Sequence, residues 1–100
     1  MLDRFEEIKK KYIGTFAQKQ SEIQGAWDKK DIAHVHELMH KLAGSSGGYG
    51  FDELCSLAQK GLKLTAYNQL SSTEEMQQCL DKICSTLMST HQKQVLNKEV

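Results

Sequence analysis

Residues 31–54, DIAHVHELMHKLAGSSGGYGFDEL, decide the fold of this 100-residue chain. Between Asp31 and about Ser46 the larger apolar residues Ile32, Val35, Leu38, Met39 and Leu42 recur at spacings of three and four. The segment therefore reads as an amphipathic helix, with Asp31 as its N-cap. At about 100° per residue the apolar stripe centres near Val35 and Leu42, and His40 points roughly 140° away from it. The wheel neighbours of His40 are Ala33, Ala43, Gly44 and, if the helix continues, Gly47. An imidazole on a rigid rod, among very small side chains, is open to the active site of a second protein.

The run GSSGGYG, residues 44–50, is expected to turn the chain after this helix. Before it, a helical region runs from about Asp3 to Asp28, with Phe5, Ile8, Tyr12, Phe16, Ile23 and Trp27 at mostly helical spacing and a break near Gly14. After it, Asp52 and Glu53 suit the first turn of a third helix, where the dipole favours acid. That helix carries Leu54, Leu57, Ala58 and Leu62 and continues through Thr65 to about Tyr67. A last helix starts at Ser72, with Glu75 completing a capping box, and buries Met76, Leu80, Ile83 and Leu87. There is no proline to break these segments. Short connections between amphipathic helices predict an all-α fold, an antiparallel four-helix bundle with an additional N-terminal helical segment, as one domain over residues 1–100.

The composition narrows the function. Hydrophobic residues make up 39% and charged residues 26%, as in an ordinary globular domain. Thirteen basic and thirteen acidic residues cancel, so no general attraction to nucleic acid or anionic lipid is expected. No apolar run approaches the ~20 residues that span a bilayer, and MLDRFEEIKKK lacks the apolar core of a secretory signal. Three cysteines form no closed disulfide framework, and Cys79 and Cys84 diverge around one helix. Reduced thiols suggest a cytoplasmic setting. The apolar stripes suffice for one bundle, so a monomer is expected.

Two motifs overlap at His40. HELMH, residues 36–40, matches H-E-x-x-H, in which His36 and His40 would face one zinc ion with Glu37 as base. The extended pattern is not met, because Ala43 stands at its glycine and Ser46 at its third histidine. A pattern this short arises by chance in a helix rich in His and Glu, so the zinc hydrolase is the weaker alternative and no metal is assigned.

The longer motif is HKLAGSSGGYGFDEL, residues 40–54: a histidine, Leu42 two later, Gly44 four later, Ser45 and Ser46, Gly50 ten later and Leu54. This run resembles the signature of the histidine-containing phosphotransfer (HPt) domain, and the helical layout extends the resemblance over most of the chain. The resemblance implies a four-helix bundle whose exposed histidine, here His40, relays a phosphoryl group between receiver-domain aspartates in a two-component phosphorelay. It implies response-regulator receivers and a hybrid sensor kinase as partners, with Mg2+ on the receiver and no cofactor on this chain. Gly44 would give access to the ring. The family commonly carries a lysine three residues after the histidine and a polar side chain on the next helix, where this chain has Ala43 and Leu62. Lys41 and either Gln59 or Lys63 are then the expected supports for the phosphoryl group.

The chemistry suits the residues independently. An imidazole of ordinary pKa ~6.5 is largely neutral near pH 7 and nucleophilic. Residues 44–51 contain no lysine, so the glycine run is not a Walker loop. No strand precedes it, so it is not a dinucleotide fingerprint. Without an ATP site the chain is no kinase and must be handed its phosphate. His36, one turn before His40, reads as a surface histidine, with an orienting neighbour or second phosphoacceptor as alternatives. His34 and His91 read as surface residues, Tyr12, Phe16 and Trp27 as core, and Tyr49 and Phe51 as packing for the turn. A receiver-binding adaptor that carries no phosphate is the alternative from a different class.

Overall fold

The computed structural model describes residues 4–98, with side chains through residue 93. Five α-helices follow in order: α1 (Arg4–Ile13), α2 (Phe16–Asp28), α3 (Ile32–Gly48), α4 (Asp52–Leu64) and α5 (Thr73–Lys98), with a short 3-10 turn at Ala66–Asn68 before the last. No strand occurs among the described residues. Helices α2 to α5 close a ring in which α3 touches α2 and α4, and α5 touches α2 and α4. This is the expected four-helix bundle, and α1 is the additional segment, packed against α5. Asp3 and the two chain ends lie outside the described residues.

Side-chain contacts fix the antiparallel register. Trp27 at the end of α2 donates its indole N–H to Gln77 Oε1 at the start of α5, at 2.6 Å. The Cys55 thiol near the start of α4 donates to the Ala43 carbonyl of α3 at 3.3 Å, while His36 of α3 meets Thr65 just beyond α4. The Cys79 thiol of α5 donates to the Leu57 carbonyl of α4 at 3.2 Å. All three cysteines are free. Burial pushes the thiols of Cys79 and Cys84 up, the latter helped by nearby Asp81.

The caps match their sequence signals. Asp31 accepts from the His34 N–H at 3.2 Å and starts α3, and Ser72 accepts from the Glu75 N–H at 3.2 Å and starts α5. Near Gly14 the Thr15 hydroxyl donates to the Tyr12 carbonyl at 2.6 Å, closing α1 and opening α2.

Two expectations are corrected. α3 runs past its expected end near Ser46 and stays helical to Gly48. It stops where Gly50 adopts φ +83°, with Phe51 N–H bonded to Ser46 O at 2.9 Å and Gly50 N–H to Gly47 O at 3.2 Å. That pair of bonds is the Schellman motif, and the left-handed Gly50 is the residue that ends the helix. Secondly, α4 does not continue to Tyr67: it ends at Leu64, and Tyr67 and Asn68 adopt left-handed φ values of +58° and +57° in the 3-10 turn that follows.

The core runs through Phe16, Ile23, Trp27, Val35, Met39, Leu42, Leu54, Ala58, Met76, Leu80, Ile83 and Leu87, all buried. Phe16 is wholly buried, with Tyr12 and Phe51 edge-on to it at 5.2 and 5.6 Å between ring centroids. Phe16→Ala is expected to cost about 3–5 kcal/mol. The measurement is the urea midpoint followed by the fluorescence of the single tryptophan, with the slope unchanged.

Candidate functional site

The histidine face of α3 is open because the large apolar residues of the helix are used elsewhere. Val35, Met39 and Leu42 are buried in the bundle, with Ser46, whose hydroxyl donates to the Leu42 carbonyl. His40 is exposed, and so are Ala33, Gly44, Gly47 and Gly48, while Ala43 is half-buried against α4. A Cβ built on Gly44 meets nothing within 4 Å. Glycine at that position is therefore not required by packing, and its effect is to leave the turn after His40 open.

The far end of the helix is held rigidly. Tyr12 and Ser45 hydroxyls are hydrogen-bonded at 2.6 Å, and Tyr49 stacks on Tyr12 with centroids 4.3 Å apart and planes 12° from parallel. Burial pushes the Tyr12 phenol up, partly opposed by the Ser45 bond. A groove of 240 Å3 separates α2 from α3, lined by Lys19, Glu22, Ile23 and Leu38 among others. It lies on the Lys41 and Ser45 flank, not on the His40 face.

The expected supports of His40 are spread out. Lys41 lies about 100° around the helix from His40 and forms an ion pair with Glu37 at 3.1 Å. Both partners are well exposed, so this i,i+4 pair contributes only about 0.3–0.5 kcal/mol and is readily released. Gln59 and Lys63 are exposed on α4, and among the described residues neither is hydrogen-bonded or ion-paired to His40. His34 is exposed and His91 half-buried.

His36 differs from its reading as a plain surface histidine. It is half-buried, and its Nδ1 sits 2.9 Å from Oγ1 of Thr65. Thr65 is fully buried and also donates to the Gly61 carbonyl at 2.8 Å. No local signal marks this partnership, because the two residues are 29 apart and a threonine after a helix has many uses. Among the described residues no three His, Cys, Asp or Glu side chains converge to hold a metal, so HELMH has no third ligand.

The model of the Hpt domain family matches residues 7–93. The chain belongs to that family. Neither a curated protein nor a solved structure matches it. Hpt domains are histidine phosphotransfer modules of phosphorelays that interact with receiver domains and have no kinase activity of their own. No helix among the described residues is long and apolar enough to cross a membrane.

Gly44 permits a clean separation of fold from function in this Hpt domain. Since its added methyl would stand in open space, Gly44→Ala is expected to stabilise the bundle by about 0.5–1 kcal/mol through helix propensity. Thermal or urea unfolding checks this, and a destabilised variant would show that the glycine is structural.

Proposed function

We propose that His40 is the phosphoacceptor of this Hpt domain and passes a phosphoryl group between two receiver domains. The observation that carries this reading is the exposed imidazole on a helix face lined by alanine and glycine, on a chain with no nucleotide-binding loop. A neutral ring nitrogen of His40 attacks the phosphorus of an aspartyl phosphate. The N–P bond forms, the P–O bond breaks, and its electron pair leaves with the aspartate carboxylate. The reverse step on a second receiver discharges the ring. Mg2+ belongs to the receiver, where it neutralises phosphoryl charge.

Gly44 keeps the approach open, and Lys41, released from Glu37, supplies charge to the partner or the phosphoryl group. Gln59 and Lys63 lie on the adjoining helix and extend the docking face. The protein acts as a single cytoplasmic domain and a monomer, with hybrid kinase receivers and response regulators as partners.

A second reading is favoured by one feature: within α3 no lysine or arginine lies on the His40 face, since Ala43 is apolar and Lys41, about 100° away, is paired to Glu37. In that reading the domain docks on receivers without carrying phosphate.

Incubation with a phosphorylated receiver separates the two. Wild type is expected to gain an acid-labile, alkali-stable label at His40, and His40→Gln to gain none while keeping its helicity and urea midpoint. Label retained by His40→Gln would sink the assignment. Receiver binding without label in wild type would establish the adaptor.

A further inference from the structure

Thr65 is buried, yet its hydroxyl reaches the half-buried ring of His36 beside the His40 face. Its Oγ1 lies 2.8 Å from the Gly61 carbonyl and 2.9 Å from His36 Nδ1. A hydroxyl has one proton, and a carbonyl can only accept. The proton therefore goes to Gly61 O, and Oγ1 accepts from His36 Nδ1–H. Neutral His36 is held as the Nδ1–H tautomer, with its lone pair on Nε2.

His40 stands one turn on. Residues four apart on a helix have Cβ atoms about 5–6 Å apart. Helical side chains also lean toward the N-terminus, which directs a side chain at position 40 toward the turn that carries His36. A phosphoryl group there brings close to two negative charges. Around this turn, Glu37 and Lys41 on α3 are paired with each other, and Lys60 and Lys63 on α4 and Tyr67 in the 3-10 turn are exposed. From α2, Lys19 and Glu22 face the opposite flank of α3.

We propose that His36 answers that charge: when His40 carries phosphate, His36 Nε2 takes a proton from solvent and donates it to a phosphoryl oxygen, while Nδ1–H stays on Thr65. The inference rests on His40 being the phosphorylated residue. It makes His36 a built-in counter-charge that appears only in the loaded state.

The test uses the whole 15N-labelled protein, phosphorylated with phosphoramidate, a donor that needs neither kinase nor receiver. Mass spectrometry locates the modified histidine, and imidazole nitrogen spectra are followed against pH. Free protein is expected to show His36 as the Nδ1–H tautomer. On phosphorylation of His40 the titration midpoint of His36 should rise by about one pH unit, as for a group gaining an opposite charge nearby. In His36→Gln the phosphohistidine should be lost about two- to fivefold faster near about pH 6.5, the effect of an exposed ion pair. The imidazolium exists only below its midpoint, so this difference should vanish as pH rises toward about 9. Thr65→Val, which keeps the ring but removes its acceptor, should abolish the tautomer preference.

An Nε2–H tautomer in free protein, an unmoved midpoint, or label on His36 would overturn the inference. Label on His40 from a receiver with no change at His36 defeats the inference and leaves the relay reading standing. The His36 changes with phosphoramidate, but no label from any receiver, do the reverse. A His40 that phosphoramidate cannot label overturns both.

Discussion

The stack of Tyr49 on Tyr12 is the contact on which the working half of α3 depends. From Gly44 onward that helix contains three glycines, each about 1 kcal/mol less favourable than alanine in a helix interior. Left to propensity, its last turns would fray. They remain ordered because α1 and α2 deliver rings to its end: Tyr12 stacks on Tyr49 and bonds Ser45, and Phe16 meets Phe51 edge-on. Lys9 sits 5.2 Å from the Phe51 ring centroid and Lys19 5.1 Å from that of Tyr12, closing the cluster from solvent. The additional N-terminal helix thus has a structural reason. It holds a helix that cannot hold itself.

The same helix must pack tightly on its other side. Gly61 of α4 provides the close approach: a Cβ there would come within 2.8 Å of Met39 Sδ, and Met39 is wholly buried. Glycine at that point lets α3 and α4 close up, with the Cys55 thiol on the Ala43 carbonyl and Thr65 under His36. Two glycines therefore serve opposite ends. Gly61 is required by packing, whereas Gly44 touches nothing and leaves one face empty.

The bundle was legible because its signals are local and repeated. Stripes at helical spacing placed Val35, Met39 and Leu42, and later Met76, Leu80, Ile83 and Leu87, in the core, and Asp31 and Ser72 at the helix starts. His40 was legible for the inverse reason, since an exposed residue opposite a strong stripe needs no tertiary information. The glycine run placed the turn only to within a few residues, because local chemistry favours a turn at every glycine, whereas the Schellman bonds at Gly50 select one. Phe5 and Ile8 share the helical spacing of the buried residues yet stay exposed, because apolar spacing does not say whether a second helix covers the stripe. The tie between His36 and Thr65 was invisible, because it exists only once α3 and α4 are side by side.

On the proposed reading, the lack of a fixed cation beside His40 is a working feature. A carrier stands between a donor and an acceptor aspartate, and each 1.4 kcal/mol by which it stabilises its own phosphoryl group makes onward transfer tenfold less favourable. A lysine clamped on the ring would act in every state and deepen that well. Lys41, held by Glu37 through an exposed pair worth a few tenths of a kcal/mol, can swing to a partner or stay home. A histidine that gains charge only when phosphate arrives stabilises the loaded state by a bounded amount and releases its proton when the group departs. The bare face and the shallow electrostatics are then one design: access for two partners in turn, with too little holding energy to trap what is carried.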